Sequence, residues 1–201
     1  MMLEAETGGL LLVVGDEGGA RAERGAGEGV CAPEVALVER VLAGDREAFA
    51  ELYAHYAPLV HGILLARVPY GEVGDLVQDV FLVAFKKLAT LRDGARFGPW
   101  VAMIARNRAV DFHRRARVTE ELSEELAQGP SAPRAEAEEV LEMIRALPEA
   151  YRETLVLRLV EGMTGPEIAE RTGLRPDSVR VNLHRGMKLL RERLGLKGRD
   201  V

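Results

Sequence analysis

From Glu34 onward, apolar residues recur three or four positions apart, and no stretch alternates with the period of two that a half-buried strand requires. The pattern predicts an all-α chain. Val35, Val38, Val41 and Leu42 share one face of a first helix that Gly44 ends, and Asp45 stands where it caps a second. In that second helix Phe49, Leu52, Tyr53 and Tyr56 continue the core face, and Pro58 restarts or kinks it before Val60, Ile63 and Leu64. Asp75 to Leu91 is a third amphipathic segment, with Leu76, Val77, Val80, Phe81, Ala84, Leu88 and Leu91 inward. A polar loop from Arg92 to Gly98 follows. Pro99-Trp100 opens a fourth helix reaching Arg117, with Trp100, Val101, Ile104 and Phe112 toward the core.

Between Val118 and Ala137, Gly129-Pro130 and Pro133 interrupt any single long helix and mark a linker. Beyond it Val140, Leu141, Ile144 and Leu147 open a second domain, whose core continues through Tyr151, Leu155, Val156 and Leu159. Its last part carries the most informative pattern. Ile168, Ala169, Leu174, Val179, Leu183, Met187, Leu190 and Leu194 keep helical spacing except across Thr172-Gly173, where a tight turn is expected. Gly173 supplies the left-handed residue, Pro176 starts the next helix, and Asp177 lies in its first turn near the positive helix end. The expected unit is a helix-turn-helix.

Charge changes the picture only when read by segment. The formal charge of −5 over 201 residues averages regions of opposite sign. Residues 1–33, rich in Gly, Ala and Glu without a sustained period, are expected to form a flexible tail. Domains are expected at 34–118 and 140–197, joined by an acidic linker at 119–139. From Thr119 to Glu142, eight glutamates face only Arg134. From Thr172 to Arg199 the balance reverses, with Arg175, Arg180, Arg185, Lys188, Arg191, Arg193, Lys197 and Arg199 against Asp177 and Glu192. With Val179, Leu183, Met187 and Leu190 inward, the open face carries Arg175, Ser178, Arg180, Val181, Asn182, His184, Arg185 and Lys188, beside Asp177 at its start. A merely solvated basic helix is the plain alternative. Coincidence of the charge with turn geometry and capping favours a surface that reads the major groove of duplex DNA.

Two further surfaces stand out. On the third segment Asp75, Asp79, Leu82 and Lys86 form a stripe flanked by Gln78 and Phe85. A solvated face does not need Leu82 and Phe85, whereas a partner helix would use them; packing within a second core is the competing explanation. The fourth helix carries Arg106, Asn107, Arg108, Asp111, Arg114, Arg115 and Arg117, too many charges for a core, while Trp100 is read as core rather than as a base-stacking platform. Little points to catalysis. His55, His61, His113 and His184 are scattered, and neither metal-ligand spacing nor a glycine-rich phosphate loop occurs, so no cofactor or metal is expected. A single cysteine, Cys31, fits a reducing compartment, and the apolar run Leu10 to Val14 is shorter than a signal-peptide core; a cytoplasmic protein without membrane insertion is expected.

Over roughly Glu34 to Leu196 the chain resembles a bacterial RNA polymerase sigma factor of the extracytoplasmic-function (ECF) subfamily. The resemblance rests on Gly44-Asp45-Arg46-Glu47-Ala48-Phe49-Ala50-Glu51-Leu52-Tyr53, on Asp75-Leu76-Val77-Gln78-Asp79-Val80-Phe81, and on Trp100 through Ile104-Ala105-Arg106-Asn107 to Asp111 and Arg114-Arg115. Leu147-Pro148, Tyr151-Arg152 and the helix-turn-helix with Leu183-His184-Arg185 follow in order. It implies a non-catalytic subunit that carries core RNA polymerase to promoters and opens the duplex, with an anti-sigma protein as a further partner. By resemblance, Asp75, Gln78, Asp79, Leu82, Phe85 and Lys86 dock on a polymerase coiled coil. Arg92, Arg96, Phe97, Arg106, Asn107, Arg114, Arg115 and Arg117 handle the minus-10 element, and the helix-turn-helix face reads the minus-35 element. Val181-Asn182 and Gly186-Met187 depart from the family's usual small polar or basic residues, and Asn182 would favour adenine if it reaches a base edge. The alternative is a dimeric helix-turn-helix regulator that binds a palindromic operator by itself.

Overall fold

The structure, a computed structural model, describes residues 33–120 and 132–195; the side chains of 117–120 and 132–137 fall outside that description. The tail before Pro33, most of the expected linker, and Lys197 and Arg199 therefore lie outside the described residues. Among the described residues the regular elements are all helical: α1 (Pro33–Leu42), α2 (Arg46–Leu65), α3 (Tyr70–Lys87), α4 (Phe97–Glu120), α5 (Ala132–Arg145), α6 (Glu149–Leu159), α7 (Gly165–Thr172) and α8 (Pro176–Arg193). Short 3-10 turns at Leu88–Thr90 and Gly94–Arg96 join α3 to α4.

The α1–α2 corner follows from three residues. Gly44 takes φ +98, a conformation few other residues adopt, and turns the chain. Asp45 then accepts hydrogen bonds from the backbone N–H of Glu47 (2.9 Å) and Ala48 (3.2 Å). Arg40 closes the corner, bridging Asp45 at 2.7 Å and Glu51 at 3.1 Å. The N–H groups of Ala48 and Glu47, together with Arg40, hold the Asp45 carboxyl below its ordinary range. Pro58 does not break α2, which runs unbroken through it. The loss of one helical hydrogen bond there is offset by full burial of Leu59, Val60, Ile63 and Leu64 just beyond.

α1 to α4 form a first lobe around α2, and α5 to α8 a second around α6. Several expected boundaries and core positions differ. α3 begins at Tyr70 rather than Asp75, α4 at Phe97 rather than Pro99, and α5 at Ala132, inside the stretch assigned to the linker. Leu42, Tyr53 and Leu194 lie at the surface rather than in the core. Leu157, not singled out in the sequence, is fully buried because α6 is covered on two sides, by α8 within its lobe and by α2 of the other.

Candidate nucleic-acid interface

The helix-turn-helix is fixed by its caps. Thr164 and Glu167 form a reciprocal box: the Thr164 backbone N–H donates to Glu167 at 2.8 Å, and the Glu167 N–H donates to the Thr164 hydroxyl at 3.4 Å. These bonds keep the Glu167 carboxyl below its ordinary range, the Thr164 N–H contributing most. Gly173 takes φ +73 at the end of α7, Arg175 is extended, and Pro176 starts α8. Buried Val179 and Leu190 hold α8 to the lobe. Gly186 sits at its crossing with α6, where a Cβ would lie 2.9 Å from Leu155 Cδ1 and 3.1 Å from Tyr151 Cβ. The departure noted at Gly186 is thus a packing feature.

Opposite that inner face, Arg175, Asp177, Ser178, Arg180, Val181, His184, Arg185 and Lys188 are exposed and Asn182 is half-buried. Arg180, Val181, His184 and Arg185 line a shallow depression there. Arg180 lies 3.5 Å from Asp177, but both are open to solvent, so the pair holds the arginine only weakly.

On α3, the structure brings all six expected partner-binding residues to one open face: Asp75, Gln78, Asp79 and Lys86 are exposed, and Leu82 and Phe85 are 57% and 49% exposed. Phe85 is not isolated. Its ring meets Phe49 edge-on at 4.9 Å, Phe49 meets Phe81 at 6.4 Å, and Tyr53 leans on Phe81 at 4.4 Å. The apolar part of this face therefore extends onto α2, through Phe49 and Tyr53. Both stand at the helical spacing of core positions, yet Phe49 is half-buried and Tyr53 exposed, because α3 covers only one side of them.

The residues expected at the minus-10 element divide. Arg92, Arg96, Asn107, Arg114 and Arg115 are exposed, with Arg114 3.1 Å from Asp111. The side chain of Arg117 lies outside the described residues. Phe97 is a correction: it is wholly buried, its ring 5.0 Å from Tyr56 and 5.7 Å from Trp100, and cannot meet a base from there. Met103 and Val110, 50% and 65% exposed, were missed; with Asn107 and Arg114 they follow spacings of four, three and four along one open stripe of α4.

Arg106 is drawn elsewhere. Its Nε and Nη2 donate to the two oxygens of Glu153 on α6, at 3.0 and 2.6 Å, and Arg67 from the end of α2 reaches the same carboxylate at 2.7 Å. Burial alone would push the Glu153 carboxyl up, and it is the largest single influence; the hydrogen bond from Arg106 and the charges of Arg67 and Arg106 outweigh it and hold the group below its ordinary range. The lobes also meet where His61 of α2 contacts Glu161 at 2.6 Å, and where Arg145 of α5 donates to the Leu65 carbonyl at 3.1 Å. Glycines permit the close approach. A Cβ at Gly62 would lie 2.7 Å from Leu157 Cδ2, and one at Gly98 would lie 3.0 Å from the Arg171 carbonyl of α7.

Among the described residues no cluster of His, Cys, Asp and Glu is placed to hold a metal, and no helix is long and apolar enough to cross a membrane.

Residues 52–119 match the family model for sigma-70 region 2, and residues 137–190 match that for sigma-70 region 4. The chain is 34% identical over 166 residues to the RNA polymerase sigma factor CarQ of Myxococcus xanthus, an alignment covering 79% of this chain and 95% of the relative. It is 33% identical to the ECF RNA polymerase sigma factor SigD of Mycobacterium tuberculosis, over 81% of this chain and 84% of that protein. Among solved structures, CnrH in complex with the cytosolic domain of CnrY is similar, with a TM-score of 0.61 at 26% identity, covering 83% of this chain and 99% of that one. With the capped helix-turn-helix behind an open basic face, these likenesses make the chain a member of the ECF RNA polymerase sigma factors.

Proposed function

We propose that this sigma factor acts without catalysis of its own, in the cytoplasm, dividing its work between a polymerase-binding and minus-10 domain at 34–118 and a minus-35 domain at 140–197. The observation that carries the reading is the α3 face, which leaves Leu82 and Phe85 open to solvent among Asp75, Gln78, Asp79 and Lys86. Exposed apolar groups ringed by charge suit a helical partner, here the coiled coil of core polymerase. Arg92, Arg96, Asn107, Arg114 and Arg115, joined by Arg106 and Arg117, would hold the phosphates and bases of the melted minus-10 strand, and Met103 and Val110 give that stripe an apolar surface for unstacked bases. Arg175, Asp177, Ser178, Arg180, Val181, Asn182, His184, Arg185 and Lys188 would read the minus-35 duplex, each good bidentate pair contributing about 1–3 kcal/mol of discrimination. Two such sites on one chain reinforce each other because the second contact becomes intramolecular.

CnrH is solved with CnrY, and RpoE of Bartonella quintana with the anti-sigma factor NepR. An anti-sigma protein covering the α3 face is the corresponding partner for this chain. The test is binding to purified bacterial core polymerase followed by transcription from a library of duplex DNA, with Asp79→Arg as the interface variant. Core-dependent initiation lost in the variant is the expected result. Tight binding of a palindromic site by the free protein, without core binding, would overturn the assignment.

A further inference from the structure

One side chain of the α8 reading face does not belong with the rest. Val181 is 39% exposed in the second turn of a helix whose other exposed residues, past Pro176 at its start, are charged or polar. Nothing within the chain accounts for it. A β-branched residue lowers helix propensity relative to a straight-chain one, and at this exposure it gains little by burial. A single exposed valine is ordinary on a protein surface. Its surroundings are what distinguish this one. Arg180, His184 and Arg185 line one open depression with it, and helical spacing sets His184 and Arg185 one turn further along the same side. Arg180 is only weakly held by Asp177, 3.5 Å away with both side chains open to solvent. An apolar spot ringed by charged and hydrogen-bonding groups thus lies on the N-terminal half of the helix that a helix-turn-helix lays into the major groove. It also stands at one of the positions where the chain departs from the family's usual small polar or basic residues.

We propose that Val181 is a specificity-determining residue that reads the C5-methyl group of one thymine in the minus-35 element, with Arg180 and Arg185 directed past it to the phosphates and acceptor edges beside that base. The inference deepens the minus-35 reading above and rests on it: that reading says which face meets the duplex, and this one says what chemistry the duplex must show at one position. Of the four bases only thymine presents a methyl group in the major groove, where the remaining edges are nitrogen and oxygen donors and acceptors. A valine set against those atoms leaves them without a partner, whereas against the methyl it strands nothing. Val181 is also preorganised. In a helix a valine is confined almost wholly to one χ1 rotamer, so its methyl groups stand fixed before DNA arrives and little side-chain freedom is lost on contact. The arginines alone cannot give this discrimination, because contacts to phosphates hold every sequence alike.

The test uses the holoenzyme that the full chain forms with purified bacterial core polymerase. The promoter that the parent selects from duplex DNA is remade with each thymine of its minus-35 element, on either strand, replaced singly by deoxyuridine, which lacks only the methyl group. Binding at fixed salt is measured for the parent and for Val181→Ser, an exposed substitution that leaves the buried side of α8 untouched. At one thymine, deoxyuridine is expected to weaken the parent about fourfold, the effect of one methyl group left in water. At that position Val181→Ser should bind thymine and deoxyuridine alike, while at the other thymines it responds as the parent does. Coupling between one base change and one residue change isolates the contact. A structural role for Val181 would weaken binding to every promoter equally and leave the coupling at zero. Val181→Thr, which keeps one of the two methyl groups, should fall between. An element with no sensitive thymine overturns the proposal, as does a deoxyuridine effect that persists in full in Val181→Ser. Promoter-specific initiation by the parent reads the broader assignment separately: its failure would sink both, whereas initiation without coupling at Val181 removes the methyl contact alone.

Discussion

At the scale of single residues, Phe97 is where sequence and structure differ most sharply. The family resemblance places it, with Arg92 and Arg96, in a loop that handles the minus-10 element. The structure instead begins α4 at Phe97, with Pro99 inside the first turn where its missing N–H costs nothing, and the ring fills a pocket beside Tyr56 and Trp100. Phe97→Ala should therefore lower the stability of the chain by about 3–5 kcal/mol, the usual range for emptying a buried aromatic site. Urea denaturation measures it. Were Phe97 a base contact, the variant would unfold with the parent and fail only in promoter opening.

At the scale of elements, what the sequence reveals is carried by caps. Gly44-Asp45 and Gly173 with Pro176 stand at the ends the structure gives, because each supplies a backbone conformation or an acceptor that other residues supply poorly. Where a start lacks such a signal, the sequence marks the helix later than it begins. α3 begins at Tyr70, but Gly71 and Gly74 are poor helix formers, and burial of Val73 is what holds the extra turn. Pro133, which the sequence pattern marks as an interruption, is the second residue of α5, where proline is tolerated. Gly186 is the case with a measurable consequence. In α8 a glycine costs about 1 kcal/mol of helix propensity relative to alanine, so an unconstrained position would gain from replacement. Here Leu155 and Tyr151 fill the space a side chain would need. Gly186→Val is expected to destabilise the chain by about 1–3 kcal/mol through overpacking, read as a lower melting temperature, while the exposed reading face keeps its residues unaltered.

At the scale of the whole molecule, the contact between the lobes was not legible. Both cores could be read as separate helical patterns, but α6 buries Glu153, Thr154, Leu155, Val156 and Leu157 in succession, and a helix covered on two sides shows no single apolar stripe. Nor does any local spacing pair Arg106 with Glu153, 47 residues away. The contact has its own pH signature, in which two groups act with opposite sign. Glu153 has a folded pKa below its ordinary value of 4.5, so its contribution is present at and above neutrality and lost only as pH falls through the depressed value. His61 has a folded pKa raised above 6.5, chiefly by its hydrogen bond to Glu161, so its contribution is complete below 6.5 and lost as pH rises through the raised value. Between mildly acid and mildly alkaline pH, Glu153 stays ionised and constant, while His61 loses its charge. The melting temperature should accordingly decline as pH rises through that window. His61→Gln should flatten the profile there while leaving the acid limb intact, because the acid limb belongs to carboxylates. A profile unchanged by His61→Gln would remove the His61–Glu161 contact from the forces that seat the second lobe, and leave that role to Glu153 with its two arginines, to Arg145 on the Leu65 carbonyl and to Arg171, which donates to the His55 carbonyl at 3.3 Å.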